Sequence, residues 1–207
     1  MAQALADQLQ KALWRFHQPI CLAILRALTA GQPVSPNQVA EVLHISGDEV
    51  RDALKTFQDI EYDRAGNVVA AGLSLIPAPH RIWFNNHALF AWCALDTLMY
   101  PVLLQQSARV ESSCLITSLP IRLTVTPTQV LHLEPAQAVV SMVVPPCCSE
   151  ESGNTRGTFC NLVHFFSSAE VGGAWRKSHP EGEILSVAEA YQLGQMLAQH
   201  RLNSRLT

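Results

Sequence analysis

The chain has 207 residues, of which 48% are hydrophobic and only 15% are charged, and its formal net charge is −3. This composition provides a buried core and excludes a disordered, highly charged protein, and the mild acidity gives no general reason to bind nucleic acid or an anionic membrane. No segment reaches the roughly 18 consecutive apolar residues of a membrane span, and the N-terminus lacks the pattern of a secretory signal. We therefore expect a cytoplasmic protein, in which the six cysteines are free thiols, metal ligands or catalysts rather than disulfides.

Residues 1–80 contain the signals of four helices followed by a hairpin. The signals are an amphipathic lead helix over 1–16, a helix opened by Pro19, one opened by Ser35-Pro36, one with a Ser46–Glu49 capping box, and two short strands around the turn 63–67. This order is a winged-helix pattern. Six basic and eight acidic side chains lie in this part, so its surface should repel phosphates. We expect a structural or lid domain and not a DNA reader.

From about residue 81 the pattern changes to that of an α+β domain. Apolar spacing predicts a helix over 87–99, with Asn85 or Asn86 as its cap and Pro101 kinking or ending it. Strands are predicted over 121–126, which alternates cleanly, and over the continuous apolar runs 139–144 and 159–166. A capping box at Ser186 and Glu189 opens a final helix to about Leu202. The predicted fold class is α+β: a winged-helix-like N-terminal domain (1–80), then a mainly antiparallel sheet with flanking helices (81–207).

One helical segment of the second part combines a thiol with a carboxyl group. Cys93 and Asp96 lie at spacing i, i+3, so they share a helix face in an apolar setting that should raise the pKa of Asp96. The plain alternative for Cys93 is a core thiol, but a carboxyl group in an apolar face costs several kcal/mol if it has no role. Cys160 shares a strand face with His164, which we expect to be a packed or supporting residue. Sequence alone does not bring Cys160 to Cys93.

The remaining cysteines carry weaker signals. Cys147 and Cys148 are adjacent thiols in a loop after two prolines, where they could trap a soft metal or have no role. No CxxC pair is present, so a structural zinc site is unsupported. Cys21 and Cys114 are most simply core thiols.

Several segments together resemble the organomercurial lyase (alkylmercury lyase) family. The most specific are FAWCALDTLMYP at 90–101 and FCNLVHFF at 159–166; the others, in the same order as in the family, are 61–75, 108–127, 133–141 and 186–195. The resemblance covers most of the chain from about residue 20. It implies a winged-helix-like domain followed by a distinctive α+β domain, which agrees with the pattern described above.

The resemblance also implies roles for particular residues. Cys93, Asp96 and Cys160 match the family's two cysteines and one aspartate that perform the chemistry and hold mercury, whereas Cys114 matches a position regarded as structural. Many relatives have a second cysteine where this chain has Asn161, which puts a vicinal pair there in doubt. The expected activity is cleavage of the carbon–mercury bond by protonolysis to a hydrocarbon and Hg(II), for mercury detoxification.

The expected chemistry follows from the softness of mercury, whose preferred ligands are thiolates. In this hypothesis Cys93 attacks first, Cys160 completes the dithiolate, and Asp96 takes a thiol proton and delivers it to carbon. No cofactor is expected. Small thiols would release Hg(II), which the resemblance implies passes to mercuric reductase.

Two other functions remain open on the sequence. One is a winged-helix sensor in which Cys93, Cys160 and His164 bind a soft metal, and the acidic recognition helix argues against it. The other is a mercury or copper carrier without catalysis, although a simple chelator has no need of Asp96.

Overall fold

The N-terminal helices form where the sequence predicts them in this computed structural model, which describes residues 5–9, 19–57, 59–144 and 155–203. They are α1 (Pro19–Leu28), α2 (Pro36–Leu43) and α3 (Gly47–Lys55). The predicted capping box at α3 is confirmed: Ser46 Oγ accepts from Glu49 N and Ser46 N donates to the Glu49 carboxylate. Of the predicted lead helix, residues 5–9 are helical and the rest lies outside the described residues.

Helix α3 occupies the position of a recognition helix, and its two cations are already ion-paired. Arg51 contacts Asp48 at 2.8 Å and Lys55 contacts Asp52 at 2.8 Å, each pair one turn apart on the helix. The carboxylates therefore accompany the positive charges on this face.

An eight-stranded sheet joins the winged-helix part to the rest of the chain. Its order is β1-β2-β3-β5-β4-β6-β7-β8 and every pairing is antiparallel. The strands are β1 (Glu61–Tyr62), β2 (Val68–Ala71), β3 (Leu73–Ser74), β4 (His80–Phe84), β5 (His87–Ala91), β6 (Ala108–Ser113), β7 (Pro120–Val125) and β8 (Val130–Glu134). The predicted hairpin is confirmed as β1–β2, and it continues into the larger sheet. The division into domains near residue 80 stays a prediction.

A second, three-stranded sheet and four helices complete the described part. The sheet has the order β10-β9-β11, with β9 (Val139–Met142), β10 (Phe165–Phe166) and β11 (Glu183–Ser186). The helices are α4 (Ala94–Leu104), α5 (Thr155–Thr158), α6 (Ala169–Arg176) and α7 (Val187–Asn203), and Cys160–Leu162 forms a 3₁₀ helix. Helices α4 and α7 pack together closely at Gly194, where an added Cβ would lie 3.3 Å from the Met99 backbone.

Two predicted elements are wrong in type. Residues 87–99 do not form one helix: strand β5 runs to Ala91, helix α4 begins at Ala94, and it continues through Pro101 to Leu104. Residues 159–166 do not form one strand, because Cys160–Leu162 is a 3₁₀ helix and only Phe165–Phe166 pairs with β9.

The other predictions for the second part are confirmed. Strand β7 alternates buried and more exposed side chains as the sequence predicts. Residues 139–143 are buried as predicted, but the strand ends at Met142, short of the predicted residue 144, and Val144 is exposed. Helix α7 begins at the predicted capping box, where Ser186 Oγ accepts from Glu189 N. Among the described residues, none of the helices has both the length and the apolar character needed to cross a bilayer.

Candidate active site

Cys93 lies at the junction of β5 and α4. Its backbone is extended (φ −138°, ψ 166°) and it is the N-cap residue of the helix, so Asp96 falls on the first helical turn. The Cys93 N–H donates to Asp96 Oδ2 at 3.1 Å. A carboxylate in this place satisfies a backbone donor that the helix cannot satisfy itself, and it interacts favourably with the helix dipole.

Cys160 reaches Cys93 through the segment that follows it. The Ala94 N–H, at the start of α4, donates to the Val163 carbonyl at 3.0 Å and so fixes the 3₁₀ helix of Cys160 against the residue next to Cys93. The ligand atoms of Cys93, Asp96 and Cys160 all lie within 4.8 Å of one another, and all three residues are buried. The structure therefore brings together the three residues expected to form the site, which lie 3 and 64 positions apart in the chain.

Burial and neighbouring groups keep both thiols protonated near neutral pH. Burial, the hydrogen bond to Cys160 and the negative charge of Asp96 raise the pKa of Cys93 well above its ordinary value. The hydrogen bond from Cys93 lowers the pKa of Cys160, but burial and the carboxylates of Asp96 and Asp59 outweigh it, so that pKa is raised on balance. Binding of a soft cation by both sulfurs must therefore release protons inside the site.

A cation and an aromatic ring border the thiol pair. The guanidinium carbon of Arg156 lies 5.0 Å from the centroid of the ring of Trp92, the residue that directly precedes Cys93. Arg156 also forms an ion pair with Glu61 of β1, and its positive charge lowers the pKa of Cys160. The hairpin of the N-terminal part thus contacts a residue of the site. Sequence reasoning missed Arg156, for which the only signal was its spacing four residues before Cys160.

The other sequence-predicted residues lie apart from this cluster. His164 places Nε2 2.7 Å from the Asn161 carbonyl, and it is outside the group of three possible metal ligands. Cys114 is buried, and hydrogen bonds from Thr117 and Ser167 outweigh the effect of burial and lower its pKa to about 7. Cys21 is buried in α1. Cys147 and Cys148 lie outside the described residues.

A buried pair of thiols with a carboxylate is a donor set for a soft metal ion, here carried on a winged-helix part joined to an antiparallel α+β domain. The model of the alkylmercury lyase family matches residues 73–199, and the model of the helix-turn-helix domain of alkylmercury lyase matches residues 1–72. The chain belongs to the alkylmercury lyase family.

Curated relatives and a solved structure agree with this assignment. The alkylmercury lyase of Streptomyces lividans is 42% identical over 187 residues, which are 90% of this chain and 82% of the relative. That of Pseudomonas putida is 41% identical over 181 residues, 87% of this chain and 83% of the relative. The crystal structure of the mercury-bound form of MerB2 has a TM-score of 0.78 at 27% identity, covering 96% of this chain and 99% of that one.

Proposed function

We propose that the protein cleaves the carbon–mercury bond of organomercurials by protonolysis, with Cys93 and Cys160 as mercury ligands and Asp96 as the proton carrier. The observation that carries this proposal is the cluster itself: two sulfurs and a carboxylate oxygen within 4.8 Å of one another, buried from water. A thiol pair alone explains metal binding. The carboxylate adds the group that a proton transfer needs.

The reaction balances without any further reagent. A substrate R–Hg⁺ reacts with the two thiols to give the hydrocarbon RH, Hg(II) bound by the two thiolates, and one proton. The carbon–mercury bond breaks, two sulfur–mercury bonds form, and the electron pair of the broken bond stays with carbon, which takes one thiol proton. Because both protons come from the protein's own thiols, the mechanism needs no cofactor.

Asp96 provides the proton acceptor that the two buried thiols need. Both thiols have a raised pKa, so each must lose its proton as mercury binds, in a place that water does not reach readily. The Asp96 carboxylate lies within 4.8 Å of either sulfur and can accept that proton. It can then return the proton to the carbon atom that the second thiolate has made a better leaving group. The hydrogen bond from Cys93 N holds the carboxylate in place.

The product must leave a site that binds it tightly. A dithiolate complex of Hg(II) dissociates by exchange with other thiols, so we propose that small thiols complete each turnover and that Hg(II) is passed to mercuric reductase. The contact of Glu61 in β1 with Arg156 supports a further part of the proposal, that the N-terminal part helps to exclude water from the site.

The proposal is tested by measuring hydrocarbon release. Purified protein is incubated with phenylmercury or methylmercury and excess small thiol, and benzene or methane is measured by headspace gas chromatography. We expect many turnovers for the unchanged protein and for Cys21→Ala, a buried thiol outside the cluster, and no turnover for Cys93→Ala or Cys160→Ala. Stoichiometric mercury binding without hydrocarbon would contradict the proposal and indicate a carrier.

A further inference from the structure

A buried serine of β9 binds the segment that follows Cys160. Ser141 is fully buried, and its hydroxyl donates to the Leu162 carbonyl at 2.8 Å and accepts from the His164 N–H at 2.9 Å. Its backbone N–H also donates to the His164 carbonyl at 3.0 Å. One residue therefore makes three hydrogen bonds to the two residues that flank Val163.

The same segment is held from its other side by helix α4. Val163 accepts from the Ala94 N–H at 3.0 Å, and Ala94 directly follows Cys93. The regular pairing of β9 with β10 begins only at Phe165, so the backbone bond from Ser141 N to the His164 carbonyl is, among the described residues, the one bond of the strand ladder that reaches the stretch between Cys160 and Phe165. The Ser141 hydroxyl supplies the bonds that the ladder does not.

These contacts form a continuous path from β9 to the thiol pair. Ser141 fixes Leu162 and His164, Val163 between them is bonded to Ala94, and the 3₁₀ turn closes back on Cys160 through the bond from Val163 N to the Cys160 carbonyl. The path therefore joins Ser141 to the segment that carries Cys160 and to the residue after Cys93, although the Ser141 hydroxyl bonds only to backbone.

We propose that Ser141 is a positioning residue that sets the placement of Cys160 relative to Cys93. The proposal rests on the proposed function for its effect on catalysis, but the placement of the two thiols is a property of the protein without substrate. It acts through the backbone of residues 162–164 and not on the reacting atoms.

The test compares Ser141→Ala with a matched control elsewhere in the fold. Ser74 is also buried, and its hydroxyl likewise donates to a carbonyl (Ile76, 2.8 Å) and accepts from an N–H (Ile76, 2.9 Å). Ser74→Ala thus removes an equivalent pair of bonds from a strand outside the cluster. Each variant is assayed for kcat and KM of hydrocarbon release, and for the rate at which diamide oxidises Cys93 and Cys160 to a disulfide.

We expect Ser141→Ala to lower kcat by about 100-fold with a much smaller change in KM, since a misplacement of about 1 Å can cost this much. We also expect it to slow disulfide formation. Ser74→Ala should leave both rates near those of the unchanged protein, and Ser141→Thr, which keeps the hydroxyl, should recover most of the loss.

Two results would overturn the proposal: equal rates for Ser141→Ala and Ser74→Ala, or no recovery with Ser141→Thr when it folds as stably as the alanine variant. If Ser141→Ala does not fold, Ser141→Val is compared with Ser141→Thr, because the two side chains have nearly the same volume and only threonine has the hydroxyl; equal disulfide rates in these two variants would contradict the proposal. Failure of the proposed function would appear differently, as absence of hydrocarbon from the unchanged protein, while the disulfide rates would still test Ser141.

Discussion

Replacing Asp96 by Asn separates the two roles of the carboxylate, because the variant keeps its shape and loses its charge. The amide oxygen can still accept the hydrogen bond from Cys93 N that the carboxylate accepts at 3.1 Å, so the N-cap is preserved. The lost interaction between a negative charge and the helix N-terminus costs about 0.3–1 kcal/mol. Relief from burying a charge offsets part of this cost, because Asp96 is only 7% exposed. The melting temperature should therefore fall by about 4 °C at most.

The effects on the thiols and on catalysis should run in opposite directions. The charge of Asp96 raises the pKa of both Cys93 and Cys160, so D96N should lower both values, and the thiolate absorbance near 240 nm should appear at lower pH. Hydrocarbon release should nevertheless fall by about 10²–10⁴-fold, because no group remains to carry the proton. D96N would then bind mercury and fail to cleave the substrate. Two results would refute this reasoning: a D96N variant that releases hydrocarbon at the full rate, or one whose thiolate absorbance appears at the same pH as in the unchanged protein.

Three further predictions concern stability. Because folding raises the pKa of Cys93 and of Cys160, the two thiols contribute to the free energy of unfolding at neutral pH, and this contribution is lost above about pH 8.5, by up to about 1.4 kcal/mol per pH unit for each thiol. Urea unfolding at pH 7.5 and 9.5 should show this loss in the unchanged protein and not in the double alanine variant. Burial lowers the pKa of His80 to about 3, so the protein should lose about 2 kcal/mol of its free energy of unfolding as the pH falls from 7.5 to 5.0. Urea unfolding at these two pH values should show the loss in the unchanged protein and in His132→Asn, a control at an exposed histidine, but not in His80→Asn. Gly72→Ala should lower the melting temperature strongly, because Gly72 has a φ of +92° and an added Cβ would lie 2.0 Å from the Tyr100 hydroxyl. A variant that melts at the same temperature as the unchanged protein would refute this prediction.

Local signals in the sequence predicted the elements whose ends are decided by nearby residues. The capping boxes at Ser46 and Ser186 involve residues three apart, so the chain carries the whole signal within one turn. Alternation in β7 likewise reports a strand with one buried face. These features do not depend on distant partners.

The elements around the site could not be predicted in this way, because long-range contacts decide them. The run from His87 to Leu104 is apolar apart from His87, Asp96 and Thr97, so periodicity does not mark where the strand ends and the helix begins. The missed cue was the turn Asn85-Asn86, with Asn85 at φ 52°, which pairs Phe84 with His87 in a hairpin. Residues 160–164 read as a strand by composition, but bonds to Ser141 and Ala94 replace the ladder.

The candidate site shows the same division. The resemblance pointed to Cys93, Asp96 and Cys160, and the spacing of the first two already predicted their contact. The approach of Cys160 depends on the bond between Val163 and Ala94, and the charge of Arg156 beside it depends on the fold of the 155–158 segment. Neither follows from a local pattern.

The most direct test of protonolysis by this site is the isotope content of the product. Methylmercury is converted in D₂O by protein equilibrated in D₂O, and the released methane is analysed by mass spectrometry. Because the proton given to carbon comes from exchangeable groups of Cys93, Cys160 and Asp96, the account predicts methane with one deuterium atom per molecule, formed at a rate that falls in D96N. Methane without deuterium, or ethane from coupled methyl groups, would contradict it.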